Sequence, residues 1–177
     1  MAEKRIFTTR DLVMASVLAA MCAIATAIKI PTGIGAMVHL GTAFMFTIGI
    51  VFGGVYAGLA GAIGSSFYDL LMGFSPYTFW SFGIKGIAGF IVGVVAKGLW
   101  PENKEGSFIP LGKRGMMRAA LGCILAAIWT VGGYTLAWWQ VIGDIKIAVA
   151  NIPSSLMTSG VGMVVALLLA PKLRKHL

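Results

Sequence analysis

Residues 64–86 read GSSFYDLLMGFSPYTFWSFGIKG, an apolar run that turns at MGFSPY and carries Asp69 on one arm and Lys85 on the other. Glycine, serine and proline together mark the turn, so the stretch predicts two helices meeting as a hairpin. If those helices lie in lipid, each ionised group costs at least about 2.5–3.5 kcal/mol at mid-depth and is a functional candidate by default. The reading therefore depends on the rest of the chain. Of 177 residues, 58% are hydrophobic and 11% charged, against roughly 45–50% apolar and about 25% charged in a soluble domain. This composition predicts a membrane protein of one domain, residues 1–177, whose helices nearly all span the bilayer.

Six apolar segments follow from the hydrophobic pattern, at about residues 10–29, 40–52, 55–73, 79–97, 116–139 and 151–169. The second is short for a full crossing, and a turn-rich connector, IPTGIGAMVH, precedes it. The segment WPENKEGSFIPLGKRG reads as the one charged loop. A basic start and an AxA at Ala25 to Ala27 imitate a signal peptide, but the apolar run is long for one and reads better as the first span. With the N-terminus inside, eleven of the fourteen Lys and Arg residues fall on the cytoplasmic side and only Lys29, Lys85 and Lys146 on the outer half. That asymmetry predicts both termini in the cytoplasm and an even number of spans. A basic inner face beside anionic lipid accounts for the net charge of +8 without a nucleic acid. Cys22 and Cys123 sit in apolar runs and read as packing residues.

Small residues recur at helical spacing. Ala15, Ala19, Ala23 and Ala27 line one face of the first segment, Gly54, Gly58 and Ala62 one face of the third, and Gly89 and Gly93 repeat the pattern in the fourth. Such faces let helices approach closely, either inside the bundle or against a partner. No catalytic constellation is present. In GSFIPLGKRG five residues separate Gly106 from Gly112 where a phosphate loop has four, and Arg114 stands where Ser or Thr would hold magnesium. A transport or structural role is expected, with no enzyme activity and no cofactor.

The opening TTRDLVMASVLAAMCAIATA, the block HLGTAFMFTIGIVFGGVYAGLAGAIGSSFYDLLMG and the stretch IKGIAGFIVGVVAKG together resemble the substrate-binding S components of energy-coupling factor (ECF) vitamin transporters. The resemblance covers essentially the whole chain. It implies an all-α, six-transmembrane-helix bundle in a prokaryotic plasma membrane that captures a vitamin from outside. It also implies a membrane T component and two ATPase subunits as partners, and Ala15, Ala19 and Ala23 as the docking surface for the T component. The connector before the second helix would act as a lid, which brings in His39.

Asp69 and Lys85 are either a structural pair bracing the hairpin or part of the vitamin pocket. Tyr77, Trp80 and Trp138 belong to an interfacial aromatic belt or stack on a flat ligand. Asn151 and Ser155 open the last helix, as caps or as ligand contacts. An acid and a base beside aromatic rings favour a B6 vitamer or a hydroxymethylpyrimidine, with riboflavin as a further candidate. The reading from a different class is a small structural or assembly subunit without a ligand.

Overall fold

A computed structural model describes residues 7–31, 37–99 and 112–175. Most of the charged loop, including the segment compared with a phosphate loop, lies outside them, as does the middle of the connector before the second helix. In chain order the elements are α1 (Thr9–Ala27), β1 (Lys29–Pro31), β2 (Met37–His39), α2 (Gly41–Phe52), α3 (Gly54–Leu71), α4 (Ser75–Ala96), α5 (Lys113–Ile142), α6 (Ile145–Ala150) and α7 (Ile152–Arg174). The all-α expectation holds for the bundle, with two additions. The turn-rich connector closes as an antiparallel ribbon pairing Lys29 with His39, Ile30 with Val38 and Pro31 with Met37. A short helix, α6, fills the loop before α7. It starts at Asp144, whose side chain accepts from the Lys146 backbone N–H at 2.8 Å, so this loop aspartate is a cap.

Size is segregated in the reverse of a water-soluble core. Ala57, Ala60, Ala88, Ala119, Ala126, Ala166 and Ala170 are buried, whereas Ile24, Met117, Ile128, Leu168 and Phe79, 88% exposed, face outward. In lipid nothing expels large apolar side chains from the outer surface, while small ones let backbones pack. Four helical segments are long and apolar enough to cross a membrane: Thr9–Ala27, Pro76–Ala96, Lys113–Ile142 and Ile145–Arg174. The protein is thus an integral membrane protein.

The predicted glycine contacts are made. A Cβ on Gly93 would run into the backbone of Gly53 and Gly54, and one on Gly89 into that of Ala57 and Gly58, so α3 and α4 cross with backbones almost touching. Their far ends are joined by Gly54 N–H to the Gly98 carbonyl at 2.9 Å and Val55 N–H to the Leu99 carbonyl at 3.0 Å. At α1, Thr8 and Asp11 form a capping box, and Tyr56 of α3 donates to the buried Asp11 carboxylate. Of the two readings of the alanine ladder, packing inside the bundle describes its first half. Ala15 and Ala19 are 3% and 4% exposed, and Gly64 of α3 lies against the Ala19 carbonyl and Cys22. Over Ala15 and Ala19 the ladder is packed inside the bundle, where a Gly-bearing α3 fits its narrow face; Ala23 is partly open and Ala27 is exposed.

Helix α2 is the buried centre, with Met45, Phe46, Ile50 and Val51 fully enclosed. At 1.5 Å per residue its 12 residues span about 18 Å, well short of a hydrocarbon core of about 30 Å. It leaves the α3 junction through Gly53, whose φ of 94° only glycine adopts freely. Its other end stops part-way up the bundle, where Thr42 meets Lys85 about three turns into α4 and Gly162 about three turns into α7.

Candidate functional site

Above that early end lies a cavity of about 300 Å³. The ribbon contributes Lys29 and His39; α3 gives Ser65, Tyr68 and Asp69; and Phe74 precedes α4. Three ladders then face one another, each stepping by four residues as one helical stripe must. They are Tyr77, Ser81 and Lys85 on α4; Thr130, Tyr134 and Trp138 on α5; and Asn151, Ser155 and Ser159 on α7, with Ser154 and Thr158 alongside.

Lys85 is 3% exposed, and its direct partner is the Thr42 hydroxyl, to which Nζ donates at 2.9 Å. The same ammonium stands 5.4 Å from the Tyr134 ring centroid. Asp69 is half-buried beside Ser81 and does not bond to Lys85 directly. Of the two alternatives for these charges, a direct Asp69–Lys85 pair is not formed, and both residues line one cavity. Ser81 Oγ and Tyr134 O–H share a hydrogen bond of 3.0 Å that ties α4 to α5 behind them. Tyr77 and Trp138 form a tilted ring pair, centroids 5.3 Å apart at 42°.

Two polar groups at the cavity have no hydrogen-bond partner among the described residues. Ser159 is 2% exposed with its hydroxyl unpaired, and the buried His39 Nδ1 also has no hydrogen-bond partner. Burial pushes His39 down to about 3 from its ordinary 6.5, with the charges of Lys85 and Lys29 adding to the effect, so its imidazole is neutral. The Asn151 side chain makes no cap; its amide donates to the Ile147 carbonyl at 2.9 Å, which leaves its oxygen as an acceptor. Buried polar groups are normally satisfied. A neutral imidazole, the Ser159 hydroxyl, one ammonium and one carboxylate around aromatic rings offer complementary bonds to a flat, polar organic molecule.

Seven of the eight candidate residues, His39, Asp69, Tyr77, Lys85, Trp138, Asn151 and Ser155, line this cavity. Trp80 does not: on α4 it falls between the stripe positions Tyr77, Ser81 and Lys85. Trp139 and Phe79 face outward, as belt residues do. The residues missed by reading single positions are mainly hydroxyls, Thr130, Tyr134, Ser81, Thr158 and Ser159. Their signal was spacing, since each lies four residues from another polar or aromatic residue on the same apolar helix.

Residues 6–175 match the family model described as ECF-type riboflavin transporter, S component. The chain belongs to this family. No curated protein matches it. As an ECF S component it is a transport subunit rather than an enzyme, embedded in the membrane, and it serves vitamin uptake together with an ECF module.

Proposed function

We propose that this S component captures riboflavin from outside and hands it inward through an ATP-driven module of a T component and two ATPases. The observation that carries the reading is the cavity, about 300 Å³ with hydroxyl ladders on α5 and α7 facing a Tyr77–Trp138 ring pair. Riboflavin joins a flat tricycle to a chain of hydroxyls, which matches rings on one side and hydrogen-bonding stripes on the other. The family description names the same vitamin. A single-ring B6 vitamer or hydroxymethylpyrimidine, favoured by the acid and base alone, would leave much of this space and many of these hydroxyls unused. A ligand-free assembly subunit gives no reason for the unpaired Ser159 and His39.

In this reading His39, Asp69, Tyr77, Lys85, Trp138, Asn151 and Ser155 contact the vitamin, and Trp80 is set aside. The five long helices and the shorter α2 make up the six-segment bundle, with both termini cytoplasmic, in line with the cation asymmetry. The T component docks on α1, at its outward side rather than at the buried Ala15 and Ala19. Ser16, Ala20 and Ala27 are the small residues exposed there, with Ala23 at the border.

Mass spectrometry of the purified, denatured protein is expected to release riboflavin. A thermal-shift panel is expected to show stabilisation by riboflavin and none by pyridoxine or hydroxymethylpyrimidine. Stabilisation by the single-ring compounds alone would overturn the assignment.

A further inference from the structure

Trp129 is a tryptophan out of its usual place. Tryptophans gather at membrane surfaces, as Trp138 and Trp139 do at the outer end of α5, yet Trp129 lies nine residues further in than Trp138, about 14 Å at helical rise. Its ring is partly exposed on the flank of the bundle, where lipid offers the indole N–H no acceptor. The N–H donates instead to the Ile84 carbonyl of α4 at 3.1 Å. One turn along α5, a Cβ on Gly133 would meet Ile84 Cγ1 at 2.8 Å, so the Ile84 side chain sits in the notch this glycine leaves. Helix α5 therefore holds Ile84 twice, by its backbone and by its side chain.

The residue so held is the neighbour of Lys85, in a turn that is weak by sequence. Gly83 and Gly86 flank Ile84 and Lys85, and glycine inside a helix leaves the backbone freer than any other residue does. Close packing accounts for Gly86, whose Cβ would lie 3.0 Å from that of Ala62, but a Cβ on Gly83 would meet nothing within 4 Å. From this turn the Lys85 ammonium reaches the Thr42 hydroxyl at 2.9 Å and stands 5.4 Å from the Tyr134 ring centroid. Trp129 itself is not among the residues lining the cavity.

We infer that Trp129 is a positioning residue for Lys85: its indole N–H, bonded to the Ile84 carbonyl, fixes the turn of α4 that aims the ammonium at the cavity floor, and so sets vitamin affinity without touching the vitamin. The effect on affinity rests on the reading of the cavity as the vitamin site, in which Lys85 contacts the ligand. It requires the N–H and not merely the bulk of the ring.

The test replaces Trp129 by benzothienylalanine, introduced by stop-codon suppression, which keeps the bicyclic shape and puts sulfur where the N–H was. Trp129→Phe, which also lacks the donor, is the second variant, and all proteins are the full chain in nanodiscs. Without ligand, lysines labelled with carbon-13 at Cε report where Lys85 stands; its resonance is identified by its loss in Lys85→Met and set apart by the nearby Tyr134 ring. In both variants this resonance is expected to move towards those of the exposed lysines, and an unmoved resonance overturns the inference. With riboflavin, titration is expected to show affinity about fivefold weaker in both variants, the worth of one hydrogen bond. The same replacement made in Lys85→Met is expected to leave affinity within about 1.5-fold, as for two residues acting through one contact. Unchanged affinity, or an equal loss in both backgrounds, overturns the inference, since Trp129 would then not act through Lys85. If the parent binds no riboflavin, the proposed function fails, and the ligand-free resonance still decides whether Trp129 places Lys85.

Discussion

The charges that opened the sequence have separate partners, and that separates their expected phenotypes. Asp69→Asn and Lys85→Met are each expected to weaken riboflavin binding by about 1.5–3 kcal/mol, the worth of a hydrogen bond to a charged group. Had the two been a buried pair, either substitution would cost about 3–5 kcal/mol of stability and the double variant would recover it. Because Lys85 rests on Thr42 instead, the melting temperature of each single variant is expected to stay near the parent's. Titration and thermal melts on the same three proteins check this; a double variant that binds as tightly as the parent would remove both residues from the pocket. His39 gives a pH signature. The unfolded chain takes up a proton near 6.5, while the folded chain refuses it down to about 3. Stability attached to His39 is therefore complete above about pH 6.5 and is lost as pH falls through that window, by at most about 1.4 kcal/mol per unit. Melts between pH 7.5 and 4.5 are expected to fall more steeply for the parent than for His39→Gln, and parallel curves would contradict it. Most of the site was legible residue by residue, because charges and rings in apolar sequence stand out. The hydroxyls were not, since a lone Ser or Thr in a membrane helix commonly bonds back to its own turn, as Thr130 does to the Ala126 carbonyl at 2.7 Å.

Among the elements, α1 shows where a sequence pattern is ambiguous in principle. A stripe of alanines states that something comes close without naming what, and the glycines of α3 turn out to be the neighbour. Ala19→Trp is accordingly expected to disrupt the α1–α3 contact and to lower vitamin binding together with uptake. Ala20→Trp, on the outward side, is expected to leave binding by the isolated subunit within about twofold, consistent with an exposed substitution, while abolishing uptake by keeping the T component's helices away. Binding and cell-uptake assays on both variants decide it; intact uptake in Ala20→Trp would move the docking surface elsewhere. Helix positions were read to within a few residues, because hydrophobic runs and glycine turns are local signals. The β1–β2 ribbon and α6 were not foreseen. Both are too short for periodicity; β2 packs against α7, far along the chain, while α6 packs mainly on its chain neighbour α5.

At the scale of the whole molecule, the chain is a transport subunit and not an enzyme, so the proposed uptake draws its energy from partner chains. Cells producing this chain alone are expected to bind labelled riboflavin without accumulating it, and to accumulate it once a T component and the ATPases are added; accumulation by the lone chain would contradict the division of labour. Bundle class and membrane residence were plain from composition. The cavity was not, for it owes its existence to no residue type at all. It occupies the height that α2 does not reach, the roughly 12 Å between an 18 Å helix and a 30 Å core. Capacity to hold a guest is thus recorded as a missing length of chain. About eight added helical residues ahead of Gly41 would turn this receptor into a solid plug with every polar side chain still in place, so in such a bundle insertions and deletions in one short segment govern whether anything binds, and substitutions govern only what.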